Sequence, residues 1–272
     1  MTLGRRLALY WLPAYAVLYV IFLYLPALLL PVFSVNTSPV PKLPLSGITF
    51  KWYQSLPQTP ALLDAAKNSL MVGVAASILA TVLGICAARA ITRYRFAGRR
   101  AVSGLIMAPL VLPEIIVAVS MLLVLLQLGL SLSLFTVVLG HVLICLPYSV
   151  TVLSSGFEGF DRSLEEASTD LGESAYGTFT RVTLPLVAPA IISSLLVSFT
   201  ISFDEFIMAF FLTGTESTLP VYIWGQLRFA AKLPAVLALG TLLLVGSFIL
   251  LSIAEIMRRR VARRSGEGVA LA

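Results

Sequence analysis

A chain of 272 residues that is 58% hydrophobic and 12% charged, with a single histidine, falls far below the roughly 25% charge of an ordinary soluble domain. So few ionisable side chains cannot clothe 29.3 kDa of Leu, Val, Ala and Phe, which excludes a water-soluble fold and requires lipid over much of the surface. The excess of 19 Lys and Arg over 13 Asp and Glu does not point to nucleic acid, because the basic residues sit in short blocks between apolar runs, where membrane topology accounts for them.

An apolar helix crosses about 30 Å of hydrocarbon in about 20 residues, so the gaps between charges convert into spans. The first is expected at 8–33, behind Arg5 and Arg6; it stays uncharged to Pro41 without a clean small-residue cleavage site and reads as a retained span. A Pro, Ser and Thr-rich stretch, 34–67, leads to a second span at 68–88, bracketed by Lys67 and Arg89. Gly73, Ser77, Gly84 and Ala88 give that span a flat packing stripe. Between residues 101 and 157 the sole charge is Glu114, and two spans are expected, 102–127 and 133–155, about a turn at 129–133. A fifth span starts near Pro185 and a sixth runs from Leu233 to about Met257, leaving 204–232 as a partly apolar connection. The expected fold is an all-α membrane protein with six transmembrane helices in one domain, 1–272.

Short loops rich in Lys and Arg stay in the cytoplasm. Arg5 and Arg6, the cluster Arg89, Arg93, Arg95, Arg99 and Arg100, the pair Arg162 and Arg181, and the tail Arg258, Arg259, Arg260, Arg263 and Arg264 all fall on one side of this six-span scheme. Both termini are therefore expected inside, with 34–67 outside. Cys86 and Cys145 lie in apolar stretches without metal-ligand spacing and are expected to be small buried hydrophobes. His141, with no second ligand apparent, is expected to be a hydrogen-bonded packing residue.

The long polar stretch, Glu158 to Thr183, holds six acids and two arginines. Ser163-Leu-Glu-Glu166 has the form of a capping box. Leu164, Ala167, Leu171, Ala175, Phe179 and Val182 recur at helical spacing, predicting two short amphipathic helices hinged at Gly172. Within this stretch Glu166-Ala167-Ser168, Gly172 and Val182-Thr-Leu184-Pro185 resemble the EAA signature of binding-protein-dependent ABC importer permeases, with every spacing kept. Ser168 and Val182 stand where the family has Ala and Ile. Six spans with both ends inside is similar to the type I importer permeases. Phe50-Lys-Trp-Tyr53, Leu112-Pro-Glu-Ile-Ile116, Ser198 to Glu205 and Thr218-Leu-Pro220 resemble the spermidine/putrescine branch of that family, and similar segments occur in permeases for opines and related small solutes.

The resemblance implies an inner-membrane, multi-pass subunit that works with a sister permease, two ATPase subunits, an extracytoplasmic solute-binding protein and membrane lipid. It implies that the loop 156–184 is a coupling element: Glu166, Ala167, Gly172, Leu184 and Pro185 would dock and bend it against the ATPase. The chain has no phosphate-binding loop of the form GxxxxGK[ST], no nucleophile–base pair and no metal shell. An enzymatic activity, a catalytic residue, a cofactor, a metal site and a nucleic-acid partner are accordingly not expected.

Acids inside the membrane are costly, about 2.5–3.5 kcal/mol on insertion scales, and mark solute paths or buried partners. Glu114, behind Pro109 and Pro113, lies far along span three. Asp204 and Glu205 interrupt an otherwise uncharged run from Val182 to Thr215, too long for one straight span, so a helix break is expected there, with more weight on Asp204 than on Glu205. A polyamine joins ammonium groups by methylenes and suits spaced carboxylates and aromatic faces. Glu114, Asp204, Glu205, Tyr222 and Trp224 are therefore the expected solute contacts. The competing expectations are the same machine carrying an opine, an amino-acid derivative or ferric ion, and a stand-alone secondary transporter, which would be expected to show internal repeats that are not apparent here.

Overall fold

The computed structural model describes residues 3–246, 248 and 249. Along the chain run α1 (Leu3–Ser34), α2 (Lys51–Ser55), α3 (Pro60–Arg93), α4 (Arg99–Val111), α5 (Glu114–Gln127) and α6 (Leu134–Glu158). They are followed by α7 (Ser163–Asp170), α8 (Ala175–Thr178), a π turn at Phe179–Thr183, α9 (Leu184–Asp204), α10 (Ile207–Leu212) and α11 (Leu219–Gln226). A last apolar helix, α12, lies within Ala230–Gly246. Among the described residues the fold is all-helical, and its extended pairing is a lone antiparallel bridge between Asn36 and Ile48. Among the described residues four helices are long and apolar enough to cross a membrane, or five if the bent pair α4 and α5 counts as one span. The end of the sixth expected span, to Met257, and the basic tail from Arg258 to Arg264 lie outside the described residues.

The chain divides into two compact units, residues 1–60 with 223–272, and residues 61–222. In the first, α1 presents apolar side chains such as Trp11 and Phe22, 71% and 72% exposed, as a lipid-facing helix does. The loop after it is closed by aromatic hydrogen bonds. Trp52 Nε1 donates to the Asn36 carbonyl at 2.8 Å, and the Tyr53 and Ser34 hydroxyls meet at 2.5 Å. The Asn36 carboxamide oxygen accepts from the backbone of Ser46 at 3.0 Å.

The second unit is organised about α6 and α9, which pack antiparallel through a ladder of polar residues spaced four apart. His141 Nδ1 meets Ser202 Oγ at 2.7 Å, Cys145 Sγ donates to the Ser198 carbonyl at 3.4 Å, and Ser149 and Ser194 hydroxyls meet at 2.8 Å. Thr81 of α3 joins the ladder at Ser194, 3.0 Å away. His141 is buried and hydrogen-bonded, as expected. The small-residue stripe of α3 faces the same helices. A methyl group added at Gly84 would run into the Ser149 hydroxyl and Leu153, and one at Gly73 would press on the Phe199 ring, so glycine sets how closely these helices approach.

Three expectations need correction. The third span is not straight: α4 and α5 meet at 109°, because a residue before proline is pushed into extended backbone and Pro113 has no N–H to continue the helix. The length of chain from Arg100 to Glu114 is therefore no measure of depth. Cys86 is exposed on α3, while Cys145 is buried as expected. The Ser163 capping box does not form; the Ser163 N–H donates instead to the Asp161 side chain at 2.9 Å, which starts α7 and holds the exposed Asp161 carboxyl below its ordinary pKa.

Candidate functional site

Two helix breaks bring acids together. Leu112 is extended (φ −79°, ψ 142°), and α5 starts afresh at Glu114 behind Pro113. The second break falls at the predicted acid pair. α9 ends at Asp204, Glu205 turns extended (φ −68°, ψ 120°), and α10 starts at Ile207. Glu205 holds that start by accepting the Met208 N–H at 3.0 Å, so this break is fixed by a side-chain carboxyl at a helix N-terminus, where the partial positive charge favours it.

The break turns Glu205 inward and leaves Asp204 outward. Glu205 is half-buried, with its carboxyl within hydrogen-bonding reach of the Glu114 carboxyl, whereas Asp204 is exposed. Of the two acids, Glu205 is the one placed against Glu114, and Asp204, the more heavily weighted, lies at the surface. Neighbouring residues point to different sides of the chain, and only the second of the two follows the unwound backbone toward α5. Among the described residues neither Glu114 nor Glu205 has a lysine or arginine partner; the ion pairs all lie elsewhere. Two carboxyl groups in contact repel unless a proton or a cation lies between them. The neighbouring wall is apolar: Val117, Ala118 and Leu125 of α5 pack with Met208, Ala209 and Leu212 of α10. Tyr222 and Trp224 lie on α11, the first half-buried and the second exposed.

The polar segment forms a second cluster. α7 and α8 are joined through Gly172 at φ +87°, a left-handed conformation that glycine adopts without strain, so the predicted hinge is present. The second predicted helix is not free-standing, because α8 runs through the π turn into α9 as a continuous helix, Ala175–Asp204. Neighbouring Glu165 and Glu166 face opposite ways. Glu166 is exposed and pairs only with Arg162, one turn back, at 3.1 Å. Glu165 points inward, where it forms an ion pair with Arg93, Nε to Oε2 3.0 Å, and accepts from the Thr183 hydroxyl at 2.6 Å. Ser168, the residue that departs from the family signature, shares a 3.0 Å hydrogen bond with Thr178 of α8. Ala167 and Gly172 are exposed, Leu184 is half-buried and Pro185 is exposed at the start of α9. The outward side also carries Leu171 and Tyr176, 89% and 78% exposed, apolar groups left uncovered on the most polar part of the chain. Glu165 and Thr183 were not singled out by sequence reasoning. The available signal was the glutamate doublet itself, since adjacent helical residues diverge by about 100° and so meet different surroundings.

Residues 80–263 match the family described as "Binding-protein-dependent transport system inner membrane component". The chain is 34% identical over 249 residues to the spermidine/putrescine transport system permease protein PotC of Shigella flexneri, covering 91% of this chain and 94% of the relative. It is 35% identical over 262 residues to the putrescine transport system permease protein PotI of Escherichia coli K12, covering 91% and 92%. In fold it is similar to a chain of a bacterial ABC transporter involved in the import of the acidic polysaccharide alginate, with a TM-score of 0.73 at 17% identity over 94% of this chain and 98% of that one. The same type of alginate transporter, TM-score 0.70 at 20% identity over 95% and 98%, has been solved in complex with a periplasmic protein bound to an alginate pentasaccharide. The helical architecture, the signature in the polar segment and these full-length similarities agree: the chain belongs to the inner membrane components of binding-protein-dependent transport systems, the permease subunits of ABC importers.

Proposed function

We propose that this permease subunit lines the path of a polyamine, spermidine or putrescine, through an ATP-driven importer of the inner membrane. On this reading one domain, 1–272, crosses the bilayer six times with both termini in the cytoplasm. It pairs with a sister permease, receives solute from an extracytoplasmic binding protein and couples to two ATPase subunits through the loop 156–184. The observation that carries the reading is the meeting of Glu114 and Glu205 at two helix breaks with no cationic partner among the described residues. An ammonium group passing between them would relieve their repulsion and regain part of the hydration it loses. Support for the solute comes from relatives whose names specify spermidine or putrescine. Asp204, Tyr222 and Trp224 would meet the solute on its way to or from the pair. The exposed row Leu164, Ala167, Leu171 and Tyr176, flanked by Glu166, supports docking of the loop, because apolar groups on a polar segment call for a cover. Gly172 would set the bend, with Leu184 and Pro185 beginning the span behind it.

The test is ATP-dependent uptake of labelled spermidine and putrescine into proteoliposomes carrying this chain with its sister permease, ATPase and binding protein. Accumulation that competes with unlabelled polyamine is expected. Uptake of an opine, an amino-acid derivative or ferric ion with indifference to polyamines would overturn the solute assignment.

A further inference from the structure

Glu165 does something the docking loop does not require of its outer face. Its carboxylate forms an ion pair with Arg93, the last residue of α3, at 3.0 Å and accepts a hydrogen bond from Thr183, the last residue of the π turn, at 2.6 Å. One side chain of α7 thereby ties together the end of one span and the start of another. The Arg93 and Glu165 side chains are only 13% and 15% exposed, and Thr183 is fully buried. Around them, the Arg93 guanidinium lies 4.5 Å from the centre of the Phe160 ring, and that of Arg89, one turn earlier on α3, lies 4.3 Å from Phe179. The bonds to Glu165 are charge-assisted and mostly shielded from water, the setting in which such contacts are strongest.

The position matters as much as the strength. α7 is joined to α8 covalently through Gly172, which by itself lets the two swing freely. The Glu165–Thr183 bond spans that joint, and the Ser168–Thr178 bond spans it again. The joint therefore cannot open while these bonds hold. We propose that Arg93, Glu165 and Thr183 are positioning residues forming a strut, which makes α7 move as one body with α3 and the head of α9, so that displacement of the loop reaches the spans instead of being absorbed at Gly172. This rests on the reading of 156–184 as the ATPase-docking element. The division between the adjacent acids is then plain: Glu166 faces the partner and Glu165 faces home.

The experiment measures ATP hydrolysed per putrescine taken up by the complete transporter in proteoliposomes, alongside the amount of ATPase co-purifying with this chain. Glu165→Gln keeps the size of the side chain and is expected to retain the ATPase at the parental level, while the ATP spent per solute rises about tenfold, the factor expected for loss of a charge-assisted contact worth about 1.4 kcal/mol. Thr183→Val, which removes one hydroxyl, is expected to raise it less. The exchanged pair Arg93→Glu with Glu165→Arg is expected to bring the ratio back toward the parental value. Parental coupling in Glu165→Gln would overturn the strut. If Glu165→Gln fails to reach the membrane, the exchanged pair decides: recovery of both abundance and coupling supports the strut, and recovery of abundance alone overturns it. Failure of the underlying reading looks different, since Glu166→Gln combined with Gly172→Val would then leave ATPase retention unchanged.

Discussion

The acids of this protein live in two settings, and the contrast separates structure from transport. In the polar segment each buried or half-buried carboxylate has an arginine: Glu165 has Arg93 at 3.0 Å, and Glu173 has Arg181 at 2.7 Å. At the helix breaks Glu114 and Glu205 face each other, and among the described residues neither has an arginine or lysine. The first arrangement is complete without a ligand. The second is complete only when a proton or a cation arrives. Acids matched within the chain hold the chain, and on the proposed reading the unmatched pair meets the solute.

The widest gap between the two settings is expected on removing charge from the unmatched pair. Glu205→Gln and Glu114→Gln should each cut polyamine uptake roughly ten- to a hundredfold, the equivalent of about 1.5–3 kcal/mol for a charge-assisted contact. Membrane abundance should hold, because the amide oxygen at 205 still accepts the Met208 N–H. Asp204→Asn, exposed and outside the contact, should lower uptake less than either, and an equal loss at Asp204 would dissolve the distinction between neighbours. A smaller effect is expected for Pro113→Ala. Freed of the proline, Leu112 is no longer confined to extended backbone, α4 gains a route to run on into α5, and the two carboxyls separate. Uptake should fall several-fold at parental abundance, and an unchanged rate would mean that packing rather than Pro113 holds the 109° bend. The least effect is expected where an acid is both matched and wet. The Glu173 and Arg181 side chains are 31% and 76% exposed, and Glu173→Gln should change stability by about 0.2–1 kcal/mol, read as a thermal shift in detergent, with uptake unaltered. A loss of uptake there as large as at Glu114 would end the contrast.

Much of this was legible in the sequence for a simple reason: charges are rare, and each one punctuates. The helical content, the turn at 129–133, the hinge at Gly172 and the break at Asp204–Glu205 all follow from where charge, glycine and apolar runs meet. The bend at Pro113 was harder to read, since Pro109 sits inside α4 without ending it, and only packing decides which proline breaks a helix. Which of Asp204 and Glu205 turns inward depends on the backbone angle at one residue, which periodicity does not carry. Trp52 and Tyr53 have the composition of interfacial belt residues, yet their polar tips close a loop on Asn36 and Ser34; a polar tip finds its partner in space and not along the chain.

The ladder between α6 and α9 bears on how the protein is made. A serine hydroxyl in either helix that lacks its partner across the interface can rest on a carbonyl one turn back in its own helix, as Ser193 does on Pro189 at 2.8 Å. Assembly then consists of trading those internal bonds for the pairs at Ser149 and Ser194 and at His141 and Ser202. The net gain per rung is small, near 0.6 kcal/mol on average for such contacts in membranes, but a slip by one residue forfeits every rung together. The ladder thus fixes the register in which α6 and α9 pack, and with it the positions of the two ends of the loop strung between them.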